Sequence, residues 1–295
     1  MQYSYYPGCT LTGTAREYDV ATRELFQALG VGLMEIPDWT CCGASAAPTT
    51  SEALSLLLPA RNLALAETRQ QESEVMVPCS ACYLNLLHVY EKTRTDRRLK
   101  SGIRKTMEDE GLTFTGKVRP RHILDVLAND IGAATIAEKV AAPFVDLVIA
   151  PYYGCQILRP YPIFDNPERP ASMDALLTAT GAKPLAWNKG GVCCGASLMT
   201  THKEVALNLV ADILKSAETA DAIVTVCPMC QMNLESFQQQ AFAMSGQKRF
   251  VSVLYLPQLI GLALGLSEES LQIGKNMVVT DGLKEKLHKR AEVTV

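Results

Sequence analysis

Apolar side chains recur along this chain first with helical spacing and then in short uninterrupted runs. Residues 14–30 place Ala21 and Leu25 on one helical face, and a glycine at the end of the segment is typical of a helix stop. Thr14 and Glu17 have the form of a capping box at a helix start. The pattern therefore predicts a helix over residues 14–30.

The same order, a helix followed by a short apolar run, continues through both halves of the chain. This alternation is typical of an α/β fold with a parallel sheet. We therefore predict two domains, each with a small, largely parallel sheet flanked by helices. Further helices are predicted over residues 52–70, where a proline suggests a kink or a late start, 172–181 and 203–219, and strands over residues 31–36, 74–77, 184–187 and 222–226.

All ten cysteines belong to two copies of one five-cysteine pattern. In each copy a single cysteine is followed by an adjacent pair and then by a CxxC motif, and "CCGAS" occurs twice. An internal duplication is the simplest explanation, with domains at residues 1–145 and 146–295, the second ending in a polar tail. The first set is Cys9, Cys41, Cys42, Cys79 and Cys82, and the second set is Cys155, Cys193, Cys194, Cys227 and Cys230.

Composition and charge narrow the possible functions. The net charge of -3 gives no basic excess, which argues against nucleic-acid binding. The longest apolar run, residues 254–266, is too short to span a bilayer, and the N-terminus lacks the features of a secretion signal. We predict a cytoplasmic protein without a membrane span. In that reducing environment dense cysteine indicates metal binding or thiol chemistry rather than five disulfides.

Five converging thiolates suit a cluster of several irons better than a single zinc ion. The cysteines follow predicted strands, whose C-terminal ends share one edge of a parallel sheet, so each set can converge. A structural zinc ion takes four ligands, whereas a cluster can bind an adjacent pair on two irons. Gly43 and Gly195 follow the adjacent pairs and are expected to let backbone N–H groups point at the cluster; Gly8 and Gly154 allow a similar approach. A zinc-bound scaffold remains an alternative.

The duplicated pattern, with a glycine after each adjacent pair, resembles the paired CCG domains of the HdrB family, the B subunits of heterodisulfide reductases. The resemblance covers residues 3 to about 266 and implies two duplicated Rossmann-like CCG domains. It implies a noncubane [4Fe–4S] cluster on each cysteine set. It also implies an oxidoreductase subunit that cleaves a disulfide between the two clusters, or oxidises thiols or a sulfur-carrying substrate in reverse.

The family further implies partners, namely an HdrC-like ferredoxin-type iron–sulfur protein and an HdrA-like flavin protein. This chain has neither the cysteine run of cubane ferredoxins nor a dinucleotide fingerprint, so we expect no flavin or nicotinamide in it. Electrons must then come from another protein. The alternative function is an electron-transfer subunit that relays electrons between partner proteins without binding a disulfide.

Two histidines are candidate catalytic residues beside the cysteines. His88, on a predicted helix after the first CxxC motif, could donate a proton to a departing thiolate, and His122 could line the site. Packing or a helix start explains them as well. Asn85 and Asn233 occupy equivalent positions after the two CxxC motifs, where an amide could bond a cluster sulfide or hold the start of a helix.

Overall fold

The computed structural model describes residues 1–44, 46–68, 73–246 and 249–289, and these form two four-stranded sheets in which every pairing is parallel. The strand orders β2-β1-β3-β4 and β6-β5-β7-β8 are the same in both halves. The predicted α/β fold with two parallel sheets is therefore confirmed. The strands are β1 (Gln2–Tyr5), β2 (Gly32–Glu35), β3 (Glu74–Val77), β4 (Arg119–His122), β5 (Val148–Tyr152), β6 (Lys183–Pro184), β7 (Ala222–Thr225) and β8 (Ser252–Tyr255).

Helices flank both sheets and fill most of the connections. A six-residue π-helix, Val126–Ile131, and two short 3₁₀ helices, Ala196–Leu198 and Ile273–Lys275, lie between the α-helices. The α-helices are α1 (Cys9–Thr12), α2 (Arg16–Ala28), α3 (Ala46–Thr50), α4 (Glu52–Glu67), α5 (Ser80–Thr95), α6 (Arg97–Asp109), α7 (Ile123–Asp125), α8 (Gly132–Lys139), α9 (Ser172–Ala179), α10 (Lys203–Ser216), α11 (Pro228–Ser236), α12 (Gln238–Ser245), α13 (Leu256–Ala263) and α14 (Asp281–His288).

The predicted capping box at the start of α2 is wrong. The cap position is Ala15, and no side chain caps the helix. The reason lies in the short helix α1: the chain turns tightly after it, with the N–H of Ala15 bonded to the carbonyl of Thr10 at 2.9 Å, and α2 begins only at Arg16. The helix itself and the glycine that ends it lie where the sequence pattern places them.

Other element boundaries differ from the predictions in instructive ways. Helix α4 begins at Glu52 and continues through Pro59, so no late start occurs. The strand predicted over residues 184–187 is only Lys183–Pro184. The strands β4 and β8 are absent from the predictions, and β4 has the polar sequence "RPRH".

The strand order creates a switch point in each sheet. The chain leaves β1 to form β2 on one side and later forms β3 on the other, and β5, β6 and β7 repeat this arrangement. A crevice opens at the C-terminal ends of the strands on either side of such a point, and ligands bind there in open α/β sheets. Here those strand ends carry the cysteines.

The two halves pack reciprocally. Helix α13, from the second half, lies against α2 of the first, and α8, from the first half, lies against α9 of the second. The ring of Tyr18 stacks on that of Tyr255 with centroids 4.1 Å apart, and His122 stacks on Phe164 at 6.4 Å. Tyr18 and Phe164 each lie nine residues after the leading cysteine of their set. The domain boundary between residues 145 and 146 stays a prediction, since packing crosses it in both directions.

Candidate metal centre

Each cysteine set gathers at the C-terminal edge of its sheet. Cys9 follows β1 and opens α1, and Cys79 follows β3 and is the N-cap of α5. In the second half Cys155 follows β5, and Cys227 is the N-cap of α11. The adjacent pairs lie in the loops that follow β2 and β6, so three strand ends contribute to each site.

Within each set, sulfur atoms lie close together in pairs but form no disulfide. The Sγ–Sγ distances are 3.5 Å for Cys9 with Cys41, 3.3 Å for Cys42 with Cys82 and 3.5 Å for Cys194 with Cys230. These contacts run in pairs; among the described residues, no three His, Cys, Asp or Glu side chains suit a single metal ion. The distances bring cysteines of one set together in pairs, and the convergence of all five on one metal group stays a prediction.

Burial divides the two sets unequally. In the first set Cys9 and Cys41 are exposed, whereas their counterparts in the second set, Cys155 and Cys193, are half-buried. The remaining six cysteines are buried. Hydrogen bonding with the neighbouring thiols lowers the pKa of Cys42 to about 3, and hydrogen bonding with Cys155 lowers the pKa of Cys193 to about 6. Each set thus contains a thiol that ionises readily, as a metal ligand must.

Glycines bring the backbone against the sulfurs. Gly8 has φ +75°, and a Cβ there would lie 2.8 Å from the Sγ of Cys82. Gly154 has φ +69°, and a Cβ there would lie 3.1 Å from the Sγ of Cys230. This cradle and the ten unpaired thiols together fit a sulfur-ligated metal group. A side chain at either glycine would come too close to a cysteine sulfur.

The glycines after the adjacent pairs have a second role that the sequence did not indicate, namely close packing against a neighbouring part of the chain. The N–H of Gly43 lies 3.4 Å from the Sγ of Cys41, and that of Gly195 lies 3.4 Å from the Sγ of Cys193, so backbone donors do point at sulfur. A Cβ on Gly43, however, would meet Ala47 at 2.6 Å rather than any cysteine. Gly43 and Gly195 also have positive φ, a conformation that favours glycine.

Comparison with known proteins places this geometry in a family. The model of the cysteine-rich domain family called CCG matches residues 3–87 and 149–235. The chain belongs to the CCG family. Both matched segments contain one complete cysteine set, so the protein has two CCG repeats, hereafter the first and the second repeat.

Two relatives match this chain over nearly their whole length. The 8-methylmenaquinol:fumarate reductase membrane anchor subunit of Wolinella succinogenes is 33% identical over 94% of this chain and 97% of the relative. The B subunit of the ferredoxin:CoB-CoM heterodisulfide reductase of Methanosarcina mazei is 29% identical over 93% of each chain. The resemblance to the HdrB family is thereby confirmed.

A solved structure shares the fold. A hypothetical protein from Helicobacter pylori superposes with a TM-score of 0.72 at 14% sequence identity, over 95% of this chain. The chain spans only 52% of that protein, and the likeness concerns the fold alone. Within the described residues of this CCG protein, no helix is both long and apolar enough to cross a membrane.

In each CCG repeat, two side chains donate hydrogen bonds to the loop that carries the adjacent cysteines. The hydroxyl of Tyr6 donates to the carbonyl of Thr40, just before the first pair, at 2.8 Å, and that of Tyr152 donates to Val192, just before the second, at 2.6 Å. On the other side, Asn85 donates to the carbonyl of Cys42 at 3.1 Å and Asn233 to that of Cys194 at 2.8 Å. The asparagines therefore hold the cysteine loops rather than their own helix starts, and Asn85 also approaches the Sγ of Cys42 at 3.7 Å.

We expect Asn233→Ala to destabilise the CCG protein by about 1–3 kcal/mol. Asn233 is buried, and without its amide the backbone carbonyl of Cys194 loses a hydrogen-bond donor. In anaerobic thermal denaturation this corresponds to a fall in Tm of about 2–10 °C. Gln239→Ala, which removes an exposed amide from α12, is the matched control and is expected to leave Tm unchanged. Equal shifts in Tm for the two variants would show that the hydrogen bond from Asn233 contributes nothing specific.

The contact between the two CCG repeats is polar at its centre. The carbonyls of Pro78 and Val226 directly precede Cys79 and Cys227, and the hydroxyl of Tyr18 reaches both, at 3.1 and 3.2 Å. Ser80 lies 3.3 Å from the carbonyl of Val226. Hydrogen bonding with Cys230 and, more weakly, with Ser80 lowers the pKa of Cys227 to about 7 against the effect of burial. The two cysteine sets thus adjoin across the interface.

His122 lies in this interface and is fully buried. Burial lowers its pKa to about 3, so the ring is neutral. Because Nδ1 accepts from the N–H of Leu124 at 3.2 Å, the proton is on Nε2, which faces Ser80 at 3.4 Å. His122 is therefore both the N-cap of α7 and part of the contact between the repeats. That His122 lines the catalytic site, and that His88 donates a proton, both stay hypotheses.

His88 lies on α5, as predicted, and its Nδ1 is 2.9 Å from the hydroxyl of Tyr161 in the second repeat. Burial lowers its pKa, and the charge of Lys92 acts in the same direction. The contact ties the loop after Cys155 to the first repeat. Sequence reasoning missed Tyr18, Ser80 and this loop, although the equal offsets of Tyr18 and Phe164 from their leading cysteines were visible.

Proposed function

We propose that the protein is the iron–sulfur catalytic subunit of a heterodisulfide-reductase-like complex. Each CCG repeat binds one noncubane [4Fe–4S] cluster through its five cysteines. A disulfide is cleaved reductively between the two sites, or thiols or a sulfur-carrying substrate are oxidised in the reverse direction. Two adjoining sets of five unpaired cysteines are the observation that carries this proposal.

The donor chemistry supports iron rather than zinc. A closed zinc site uses four ligands, so a fifth cysteine in each set would have no function there. Iron–sulfur clusters are held by thiolates, and backbone N–H groups directed at their sulfurs tune them, as those of Gly43 and Gly195 are placed to do. When bound, two clusters supply the two electrons that disulfide cleavage consumes.

The chain itself contributes fixed geometry. Tyr18, Ser80 and His122 hold the residues before Cys79 and Cys227 at a set separation, so both sulfurs of a substrate meet a rigid pair of sites. The exposed Cys9 and Cys41 place the first set where an electron-donating protein can approach it. An HdrC-like ferredoxin-type protein, with an HdrA-like flavin protein behind it, is the proposed source of electrons. The setting is proposed to be cytoplasmic.

The proposal is tested by measuring iron, acid-labile sulfide and zinc per chain on anaerobically purified protein. We expect about eight irons with matching sulfide, as two four-iron clusters require. A variant with Cys41→Ser and Cys42→Ser is expected to retain about half of the iron, whereas Gln239→Ala retains all of it. Zinc at one or two per chain with little iron, reproduced under strict anaerobiosis, would overturn the proposal.

A second candidate function is electron relay between partner proteins without a bound disulfide. It is favoured by the 33% identity to a subunit named for a methylmenaquinol:fumarate reductase, a name that includes no disulfide. EPR spectra of the loaded protein with and without added thiols distinguish the two functions. A thiol-dependent signal supports disulfide chemistry, and spectra that thiols leave unchanged support relay.

A further inference from the structure

An apolar groove lies between α4 and α6 in the first half of the chain. It has a volume of about 380 Å³ and is lined chiefly by four apolar side chains, Leu56, Leu57, Leu99 and Ile103. Leu56 and Ile103 are buried, whereas Leu57 and Leu99 are half-buried. Gly102 of α6 also lines the groove, and a Cβ there would have no neighbour within 4 Å. The α4–α6 groove therefore has room for an apolar side chain from another molecule.

Helix α6, which forms one wall of the groove, belongs to a strongly basic stretch. Residues 92–105 contain seven of the 28 Lys and Arg residues of a chain whose net charge is -3. The one acidic residue of this stretch, Asp96, is the N-cap of α6 and accepts from backbone N–H groups there. Within the described ranges, Arg94 and Arg104 form ion pairs with glutamates of their own helices. The five cations without an ion pair to a described residue are Lys92, Arg97, Arg98, Lys100 and Lys105.

The corresponding helices of the second half pack more closely. The counterpart of α6 is α12, which follows α11 as α6 follows α5. Helix α12 contains no charged residue. It packs along α10 with Phe242 against the core, whereas α6 meets α4 over a short stretch only. The fold of one half therefore requires neither an open groove nor a basic helix at this place.

The groove is connected to the segment that carries the adjacent cysteines of the first set. A Cβ at Gly43 would lie 3.2 Å from Cδ1 of Leu58, which directly follows the groove-lining residues of α4. Arg61, also on α4, pairs with Glu110 at the end of α6 at 3.1 Å and with Asp38 at 2.5 Å. Asp38 lies three residues before the first of the adjacent cysteines, whose side chain is exposed. A molecule in the groove would therefore contact the helix that supports this cysteine loop.

We propose that the α4–α6 groove is the docking site of an acidic electron-donor protein of the ferredoxin type. An apolar side chain of the donor enters the groove, and its carboxylates pair with the cations of α6. The inference rests on the proposed function, because it assigns the surface at which electrons reach the first cysteine set. In each docking event one electron leaves the donor, which is oxidised, and reduces the metal group of that set.

Charge and shape favour this partner over a membrane. A positive surface steers an acidic protein toward it and fixes its orientation. Binding to a lipid surface needs apolar side chains that protrude, whereas those of the groove are recessed between two helices. An acidic protein with one projecting apolar side chain matches both features.

The role of charge is tested by equilibrium binding of the iron-loaded protein to an immobilised bacterial ferredoxin with two [4Fe–4S] clusters, under anaerobic conditions. We expect the Kd to rise at least about tenfold between about 0.05 and 0.5 M salt, because salt screens exposed charges. A triple variant, Arg97→Glu, Arg98→Glu and Lys105→Glu, is expected to raise the Kd about tenfold at the lower salt concentration.

The control for this variant changes the net charge equally in the second half of the chain. It combines Lys203→Glu, Lys215→Glu and Lys275→Glu, all at exposed positions, and we expect its Kd to stay within about twofold of the wild type. Equal weakening by both triple variants would show that only net charge matters and would overturn the inference.

Gly102→Leu tests the groove itself without a change of charge. Gly102 lies inside α6 without a positive φ, and its Cβ position is open, so a leucine fits the helix and places its side chain in the groove. We expect the Kd for the ferredoxin to rise about tenfold, with Tm not lowered. The control is Gly282→Leu, at an equally open position of α14, which is expected to bind as the wild type. Unchanged binding by Gly102→Leu would show that no side chain enters the groove and would overturn the inference.

Two further results separate this inference from the proposed function. If iron-loaded wild type does not bind the ferredoxin at the lower salt concentration, or binds phosphatidylglycerol vesicles through the same three cations instead, the docking site is overturned and the proposed function stands. If the protein holds zinc in place of iron, both are overturned.

Discussion

Gly8→Ala is expected to remove the iron of the first cysteine set and to leave that of the second. The backbone of Gly8 has φ 75° and ψ 163°, a region that is essentially restricted to glycine, so any side chain there costs about 1–3 kcal/mol in strain. The added Cβ would also lie 2.8 Å from the Sγ of Cys82, which must then move. We expect iron and sulfide per chain to fall by about half.

A control variant at Gly132 separates the effect of backbone strain from that of the contact with sulfur. It has φ 79° and ψ 154°, nearly the conformation of Gly8, but a Cβ there has no neighbour within 4 Å. Gly132→Ala therefore introduces the same strain without the contact with sulfur. We expect it to lower Tm and to retain full iron. Equal iron loss in both variants would mean that strain alone disrupts the site, and full iron in Gly8→Ala would contradict the assignment of Cys82 as a ligand.

Tyr18→Ala is expected to give the largest loss of stability, about 3–5 kcal/mol, since it removes a fully buried aromatic ring at the centre of the contact between the repeats. The ring stacks on Tyr255, and its hydroxyl reaches a carbonyl on each side. In anaerobic thermal denaturation we expect Tm to fall by about 10 °C.

Tyr18→Phe isolates the hydroxyl. It keeps the stacking but leaves the carbonyls of Pro78 and Val226 without this donor, for an expected loss of about 1–3 kcal/mol. If Tyr18 joins the repeats as its contacts indicate, Tyr18→Ala also separates the unfolding of the two repeats into two transitions, whereas Tyr18→Phe keeps one. A single unshifted transition in Tyr18→Ala would show that the interface is stabilised elsewhere.

The placement of the cysteines after the strands was predictable because sulfur chemistry restricts the residue type at each position. Only thiols at fixed places after strands can converge as the two sets do, and only a residue without a Cβ fits against the Sγ of Cys82 at Gly8. The duplication doubles this signal. The parallel sheets followed from alternating helices and apolar runs, because both faces of such sheets are covered.

The remaining errors have local physical causes. The strand β4 pairs with β3 through its backbone, and its arginines and proline hide it from any apolar pattern. Its Arg121 is buried yet satisfied by ion pairs with Asp125, Glu74 and Asp130, contacts that depend on tertiary structure. The role of Tyr18 likewise depends on which surfaces of the two repeats meet, and spacing within one repeat carries no information about that.

The reciprocal packing of α13 on α2 and of α8 on α9 is the arrangement of an isologous dimer, in which each protomer offers the same patch to the other. A lone repeat would build this pair of sites by self-association, with both sites identical by symmetry. Joining the copies in one chain lifts that constraint. His122 now faces Phe164 where Tyr255 faces Tyr18, and Leu87 occupies the position that corresponds to Glu235. The two sites can therefore differ from one another, which the sites of a symmetric dimer could not.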